Sequence, residues 1–150
     1  MSLTEKISAD LMAAMKAKDT ITLESLRAAK TAFTLARSEK GADSTLTSEE
    51  EIKIIQKLVK QRRESSEIYK TQNRKDLWEK EDAEANVLEK YLPAKMSDEE
   101  LTKTLKAIID RIGAKTPADM GKVMGIATKE LAGKADGREI SSKVKQLLGS

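Results

Sequence analysis

Three helix-start signals of one kind are spread along this 150-residue chain, and they predict an all-helical fold. Each is a Ser or Thr followed three residues later by Glu, a capping box whose side chains bond the free amides of a first helical turn. The three boxes begin at Ser2, Thr47 and Ser97. Apolar residues follow each box at three- and four-residue intervals, which is the spacing of one helix face. No stretch shows the alternation typical of a strand.

Further start and stop signals divide the chain into seven predicted helices, four before Pro93 and three after it. Glycines mark helix ends, Asp or Ser marks helix starts, and Pro is favoured at a first helical position. The signals are Asp19–Thr20, Gly41 with a loop over 41–47, a break over 72–76, Gly113, Thr116–Pro117, Gly133, Asp136 and Gly149. Predicted interior positions include Leu3, Ile7, Leu11 and Met15 on the first helix, and Leu101, Leu105, Ile108, Ile109 and Ile112 on the fifth.

The segment 93–96 is the predicted boundary between two domains. Pro93 should end the fourth helix, because the residue before a proline resists the helical conformation. We therefore predict an all-α protein with a four-helix N-terminal domain, residues 1–93, and a small three-helix C-terminal domain, residues 94–150. The first holds 17 basic and 17 acidic residues, the second 11 and 8. The excess of three positive charges suggests a polyanionic partner, although a merely soluble surface explains it about as well.

Composition excludes several kinds of chemistry. The chain has no Cys and no His, so disulfides, thiolate nucleophiles, Cys/His zinc sites and histidine acid–base catalysis are ruled out. The acidic residues Glu79, Glu81, Asp82 and Glu84 are predicted to be surface charges, since neutral metal donors are not visible beside them. We predict no catalytic residues, metal or cofactor. With no apolar run that could span a membrane and no signal-peptide core, we expect a cytoplasmic protein.

Gly121 and Gly125 are the first candidate functional residues. They are four residues apart in a helical pattern, so they share a face, and glycine within a helix costs about 1 kcal/mol relative to Ala. Two interpretations fit. Another helix of the chain packs closely there, or a nucleic-acid backbone or protein partner does.

The turn from Gly133 to Gly137 is the second candidate. Gly133 is expected to adopt the left-handed conformation at a helix end. Lys134 and Arg138 stand beside the start of the last helix, where backbone amides favour an anion. The turn is therefore either a phosphate site or an ordinary capped turn. The last helix is poor in side chains that read bases, so phosphate and shape contacts are the more natural use.

Four motifs give the chain a resemblance to a known family. They are Gln61–Ser65, Glu89–Pro93, Asp119–Met124 and Gly133–Gly137, and the resemblance covers essentially the whole chain. The chain resembles the GatB/YqeY family, whose members are similar to the C-terminal tail of the B subunit of tRNA-dependent amidotransferases. The resemblance implies two helical domains and kinship with carbon–nitrogen ligases that use glutamine as amide donor. It also implies that the tail-like domain holds tRNA, while the catalytic sites belong to other domains.

Carried over by motif, the resemblance implies that Lys122 and Lys134 face RNA. It implies that Gly121, Gly133 and Gly137 shape the surface, and we add Arg138 from its charge alone. Asn73 stands where relatives are expected to have glycine. We therefore expect a module that binds tRNA or another structured RNA without catalysing amide transfer alone. The alternative is a protein–protein adaptor for an aminoacyl-tRNA synthetase or an amidotransferase subunit.

Overall fold

The computed structural model describes residues 2–149, and over that range it is all-α, as predicted, with seven α-helices and no strand. The chain divides into two compact units, Met1–Leu92 and Pro93–Ser150. The helices are α1 (Leu3–Ala17), α2 (Thr20–Lys40), α3 (Ser48–Thr71), α4 (Lys75–Glu89), α5 (Asp98–Ile112), α6 (Met120–Glu130) and α7 (Gly137–Leu147). A 3-10 turn, Pro117–Asp119, precedes α6.

The first unit is built around α1 to α4. Helix α3 packs along α4, α1 packs against α2, and α2 also contacts α4. Their buried apolar side chains form one core, made of Ile7, Leu11, Leu26, Ala29, Phe33, Ile55, Val59, Ala85 and Leu88. The capping boxes at Ser2 and Thr47 are both formed, which confirms the predicted starts of α1 and α3.

Met15 does not face the core, so that part of the predicted α1 stripe is wrong. Its side chain is 53% exposed, whereas Ala14 is buried with Ile7 and Leu11. Steps of four residues advance 400° around a helix with 100° per residue. Each such step therefore drifts about 40° from the starting face, and by the third step Met15 has left the buried side of α1.

The ends of α4 differ from the sequence prediction. The helix begins at Lys75 and ends at Glu89, so Pro93 does not terminate it. Beyond the helix, the Tyr91 hydroxyl donates to Asp10 Oδ2 at 2.6 Å and the Tyr91 ring packs against the core. Burial, and then this hydrogen bond, raise the pKa of the Tyr91 phenol above its ordinary value. After the helix ends, Tyr91 and Leu92 both pack against the core of the first unit.

Asn73 lies in the turn between α3 and α4 with a φ of 55°. This left-handed conformation favours Gly, and Asn is among the few other residues that adopt it readily. The departure from the expected glycine therefore leaves the turn intact.

The predicted surface charges of α4 are partly internal. Glu84 is only 7% exposed, and its burial raises the pKa of its carboxyl. Asp82 accepts a hydrogen bond from Arg63 Nη1 at 3.2 Å, and Arg63 Nη2 donates to Asn86 Oδ1 at 2.7 Å. The prediction of surface charges is therefore wrong for Glu84. The Gln61–Ser65 motif contributes Arg63 to the contact between α3 and α4.

The second unit has its own core, formed by α5, α6 and α7. Its buried side chains are Leu101, Leu105, Ile108, Ile109, Val123, Ala127, Leu131, Ala135, Ile140, Val144 and Leu148. Gly113 ends α5 with a φ of 70° and Asp136 caps α7, as predicted. At the start of α5 the Ser97 hydroxyl accepts the Glu100 N–H at 3.2 Å, which is one half of the predicted capping box. Pro117 starts the 3-10 turn rather than α6, which corrects the predicted helix start. The Asp119 carboxylate accepts the backbone N–H groups of Lys115 and Thr116, which tightens the turn and lowers the pKa of Asp119.

Candidate nucleic-acid interface

Gly121 and Gly125 lie on a fully accessible side of α6. Both are exposed, and a Cβ placed on either would have no heavy atom of the described residues within 4 Å apart from its chain neighbours and the adjoining helix backbone. No other helix in the described part of the second unit therefore packs on them. Since glycine weakens a helix, packing within the second unit does not account for this pair.

Replacing Gly125 by Ala should raise the free energy of unfolding of the second unit by about 1 kcal/mol, because the new methyl group enters open space and raises helix propensity. Urea unfolding, with amide exchange at Val123 and Ala127, measures the change. The matched control is Gly113→Ala. Its left-handed φ of 70° should make the same substitution destabilising by about 1 kcal/mol. A loss of stability in Gly125→Ala would show that the helix face is packed.

Successive residues of a helix are 100° apart around its axis, and this spacing determines which side chains of α6 lie beside the two glycines. Gly121, Gly125 and Thr128 lie together, and we call this strip of α6 the glycine face. Lys122 and Lys129 are seven residues apart and lie along one edge of it. All five residues are exposed, while Val123 and Ala127 on the other side are buried. Lys129 did not stand out from the sequence, although its two-turn spacing from Lys122 is a signal that could have found it.

The turn after α6 has the predicted left-handed glycine. Gly133 is buried and has a φ of 80°. The Lys134 N–H donates to the Leu131 carbonyl at 2.9 Å, and the Lys134 carbonyl accepts from the Met96 N–H at 2.8 Å. The backbone of the turn is therefore fixed on both sides, while the Lys134 side chain is exposed. Gly137, the first residue of α7, is exposed with open space around it.

The first backbone amides of α7 already have an anionic partner, the carboxylate of Asp136. Asp136 Oδ1 accepts the Arg138 N–H at 3.3 Å, as an N-cap residue does. A phosphate at the same amides would lie beside this carboxylate, so the geometry favours the capped-turn interpretation there. The exposed Arg138 side chain borders a shallow depression of about 270 Å³, whose lining also includes Lys143 and two acidic residues, Asp98 and Glu139. Any anion contact at this position is expected to use side chains.

The predicted cations do not converge on one pocket. Lys122 lies in the first turn of α6 and Lys134 lies beyond its last turn. With a rise of 1.5 Å per residue, the stretch of α6 between them spans roughly 12 Å. Lys122 and Lys134 are therefore placed to reach different phosphate groups.

Over the part of the chain that the structure describes, these cations differ from others of the second unit in that they make no ion pairs. Arg111 pairs with Glu130 at 2.7 Å and Lys143 pairs with Asp98 at 2.8 Å. By contrast, no ion pair within residues 2–149 involves the cations near the glycine face, which are Lys122, Lys129, Lys134 and Arg138. Their charge is therefore available to a partner.

Among the described residues, no three of the metal-binding residue types lie together in a way that could hold a metal ion. No helix in the described part of the chain combines the length and hydrophobicity needed to cross a membrane.

These features define an all-α protein whose second unit presents an open glycine face edged by unpaired lysines. Residues 4–148 match the family described as Yqey-like protein, and the chain belongs to that family. It is also similar to Altered inheritance of mitochondria protein 41, mitochondrial, of Pyrenophora tritici-repentis (strain Pt-1C-BFP). The identity is 28% over 149 residues, covering 97% of this chain and 80% of that protein.

Proposed function

We propose that this chain is an accessory module that binds tRNA or another structured RNA and does not catalyse amide transfer alone. Four N-terminal helices and three C-terminal helices would form separate domains, with the RNA contact on the second. The proposal places the chain beside the glutamine-dependent tRNA amidotransferases that its motifs resemble. A cytoplasmic location stays a prediction, and the name of the Pyrenophora relative assigns that protein to mitochondria.

The observation that carries the proposal is the open glycine face with unpaired lysines at its edge. A helix face that carries two glycines one turn apart lets a second backbone approach closely there. Phosphate groups are then within reach of Lys122 and Lys129, whose ammonium groups bind phosphate as point charges. Lys134 and Arg138 add positive charge at the other end of α6. Contacts of this kind recognise backbone and shape rather than base sequence.

Binding of bulk tRNA at low and at physiological salt tests the proposal. Each phosphate neutralised should steepen the dependence of log affinity on log salt by about 0.7–0.9. A variant combining Lys122→Ala, Lys134→Ala and Arg138→Ala should bind at least about tenfold more weakly at low salt, with a shallower slope.

A variant with the same charge change elsewhere is the matched control. Lys60, Lys103 and Lys106 are exposed and unpaired within residues 2–149, and replacing all three by Ala should leave tRNA affinity within about twofold, apart from general charge effects. Equal weakening of both triple variants would mean that tRNA senses net charge rather than a site. A protein that binds no tRNA at low salt would contradict the proposal.

A protein–protein adaptor for a synthetase or an amidotransferase subunit is the second candidate function. Exposed apolar side chains in the first unit favour it, notably Ile68 on the long helix α3, which is 56% exposed, and Met12 on α1, which is 60% exposed. An apolar contact buries surface without releasing counterions, so its affinity should hardly change with salt. Salt dependence therefore distinguishes the two functions.

A further inference from the structure

The backbone hydrogen bond between Met96 and Lys134 brings two lysines together that are far apart in the sequence. The Met96 N–H donates to the Lys134 carbonyl at 2.8 Å, so Lys95 lies beside the turn that carries Lys134. We propose that Lys95 and Lys134, the lysine pair, bind one phosphate group of the RNA. This inference rests on the proposed function and adds a residue to its site.

The lysine pair is held by a rigid backbone. Met96 packs against the core of the second unit, and Leu131 and Ala135 are 3% and 9% exposed. The left-handed Gly133 between them is buried. Since both neighbouring segments are anchored, a ligand does not have to order the backbone when it binds, and that lowers the entropic cost of binding.

The electrostatics of the lysine pair favour an anion. Both lysines are exposed, and neither makes an ion pair within residues 2–149. The acidic side chain in the turn, Asp136, is bonded to the backbone of Arg138. Two lysines on adjoining backbone segments raise the local positive potential, which attracts an anion. Arg138 follows four residues after Lys134 and adds to the positive charge of this corner.

Phosphate in RNA suits the lysine pair better than the carboxylate of an acidic protein does. The pair belongs to the same small unit as the glycine face, which admits a close backbone. Lysine meets phosphate and carboxylate alike as a point charge, so the choice of RNA rests on the neighbouring glycine face. The competing outcome is an acidic protein partner. It would be identified if the protein bound polyglutamate as tightly as tRNA and lost that binding when Lys95 and Lys134 were replaced.

The test measures bulk tRNA binding to the full-length protein and to Lys95→Ala, Lys134→Ala and the double variant. Each single variant should bind roughly fivefold more weakly at low salt, the effect of one charge-assisted contact. Because one phosphate is shared, the double variant should lower the salt slope by only about 0.7–0.9. Lys103→Ala, an exposed lysine on the outer side of α5, is the matched control and should bind as the unchanged protein does.

The other possible results contradict either the lysine pair, the shared phosphate or the proposed function. If Lys134→Ala weakens binding and Lys95→Ala does not, the lysine pair is wrong while the proposed function stands. If the double variant lowers the slope by about 1.4–1.8, the two lysines bind separate phosphates and the shared site is wrong. If the unchanged protein binds no tRNA, the proposed function itself fails. Circular dichroism of each variant confirms that the helices remain folded.

Discussion

Glu51→Ala should lower the free energy of unfolding of the first unit by about 3 kcal/mol, because it removes a buried carboxylate that two donors depend on. Glu51 is 2% exposed. Its Oε2 accepts the Thr4 N–H at 2.7 Å and the Thr4 hydroxyl at 2.6 Å. Thr4 lies in the first turn of α1 and Glu51 in the first turn of α3. The carboxylate is therefore stabilised by the positive ends of two helix dipoles.

Fluorescence of Trp78, the single tryptophan, follows urea unfolding of the first unit, since Trp78 lies on α4. Glu51→Gln keeps an oxygen acceptor and should cost only about half as much, because hydrogen bonds to neutral groups are weaker. A double-mutant cycle with Thr4→Val isolates the hydrogen bond from the Thr4 hydroxyl and should give a coupling of about 1 kcal/mol. The neighbour Glu49, which is half-buried and makes an i,i+4 ion pair with Lys53 at 3.0 Å, is the control, and its change to Ala should cost about 0.5 kcal/mol or less. If Glu51→Ala cost as little stability as Glu49→Ala, this account of the buried carboxylate would be contradicted.

The features that could be predicted from the sequence are local. A capping box joins residues three apart, and a left-handed glycine acts within its own turn, so the starts at Ser2 and Thr47 and the end at Gly113 could be identified without tertiary information. Helix periodicity likewise found most core positions. It was wrong at Met15, because a strict four-residue step drifts around the helix.

The features that the sequence did not disclose join distant segments. Thr4 and Glu51 are 47 positions apart, and Met96 and Lys134 are 38 positions apart, so no spacing rule brings them together. Tyr91 and Asp10 are likewise far apart in the sequence, and the hydroxyl of Tyr91 donates to the Asp10 carboxylate. Tertiary contacts of this kind override local signals such as Pro93.

The candidate site was found in part. The unusual glycines pointed to α6, yet the sequence left open whether that helix face was buried or open. The open space around Gly121 and Gly125 shows that, within the residues that the structure describes, no other helix of the second unit covers them. The lysine Lys95 was invisible as a site residue, because its place beside Lys134 depends on a single long-range backbone bond.

Leu105→Ala should destabilise the second unit by about 2–5 kcal/mol, the usual cost of a cavity at a buried leucine. Leu105 is fully buried in the core formed by α5, α6 and α7. A unit of this size is expected to have a free energy of unfolding of only about 3–9 kcal/mol. The cavity should therefore remove a large share of its stability.

Two probes separate the units in the full-length Leu105→Ala variant. Circular dichroism at 222 nm reports helices throughout the chain and should show an earlier partial loss in urea, whereas the Trp78 transition should stay in place. Leu35→Ala is the control, since Leu35 is 60% exposed and its truncation should change stability by less than about 0.5 kcal/mol. A shift of both probes by Leu105→Ala would mean that the chain unfolds as one cooperative whole.

Under conditions where Leu105→Ala unfolds the second unit, tRNA binding should disappear while the Trp78 signal stays native. That result would place the RNA contact on the second unit by a route independent of charge, because Leu105 is uncharged and buried and cannot touch RNA itself. Retention of full affinity under those conditions would move the contact to the first unit. The charge variants of α6 and α7 would then be expected to have no effect, so the stability and binding measurements test the same assignment from two directions.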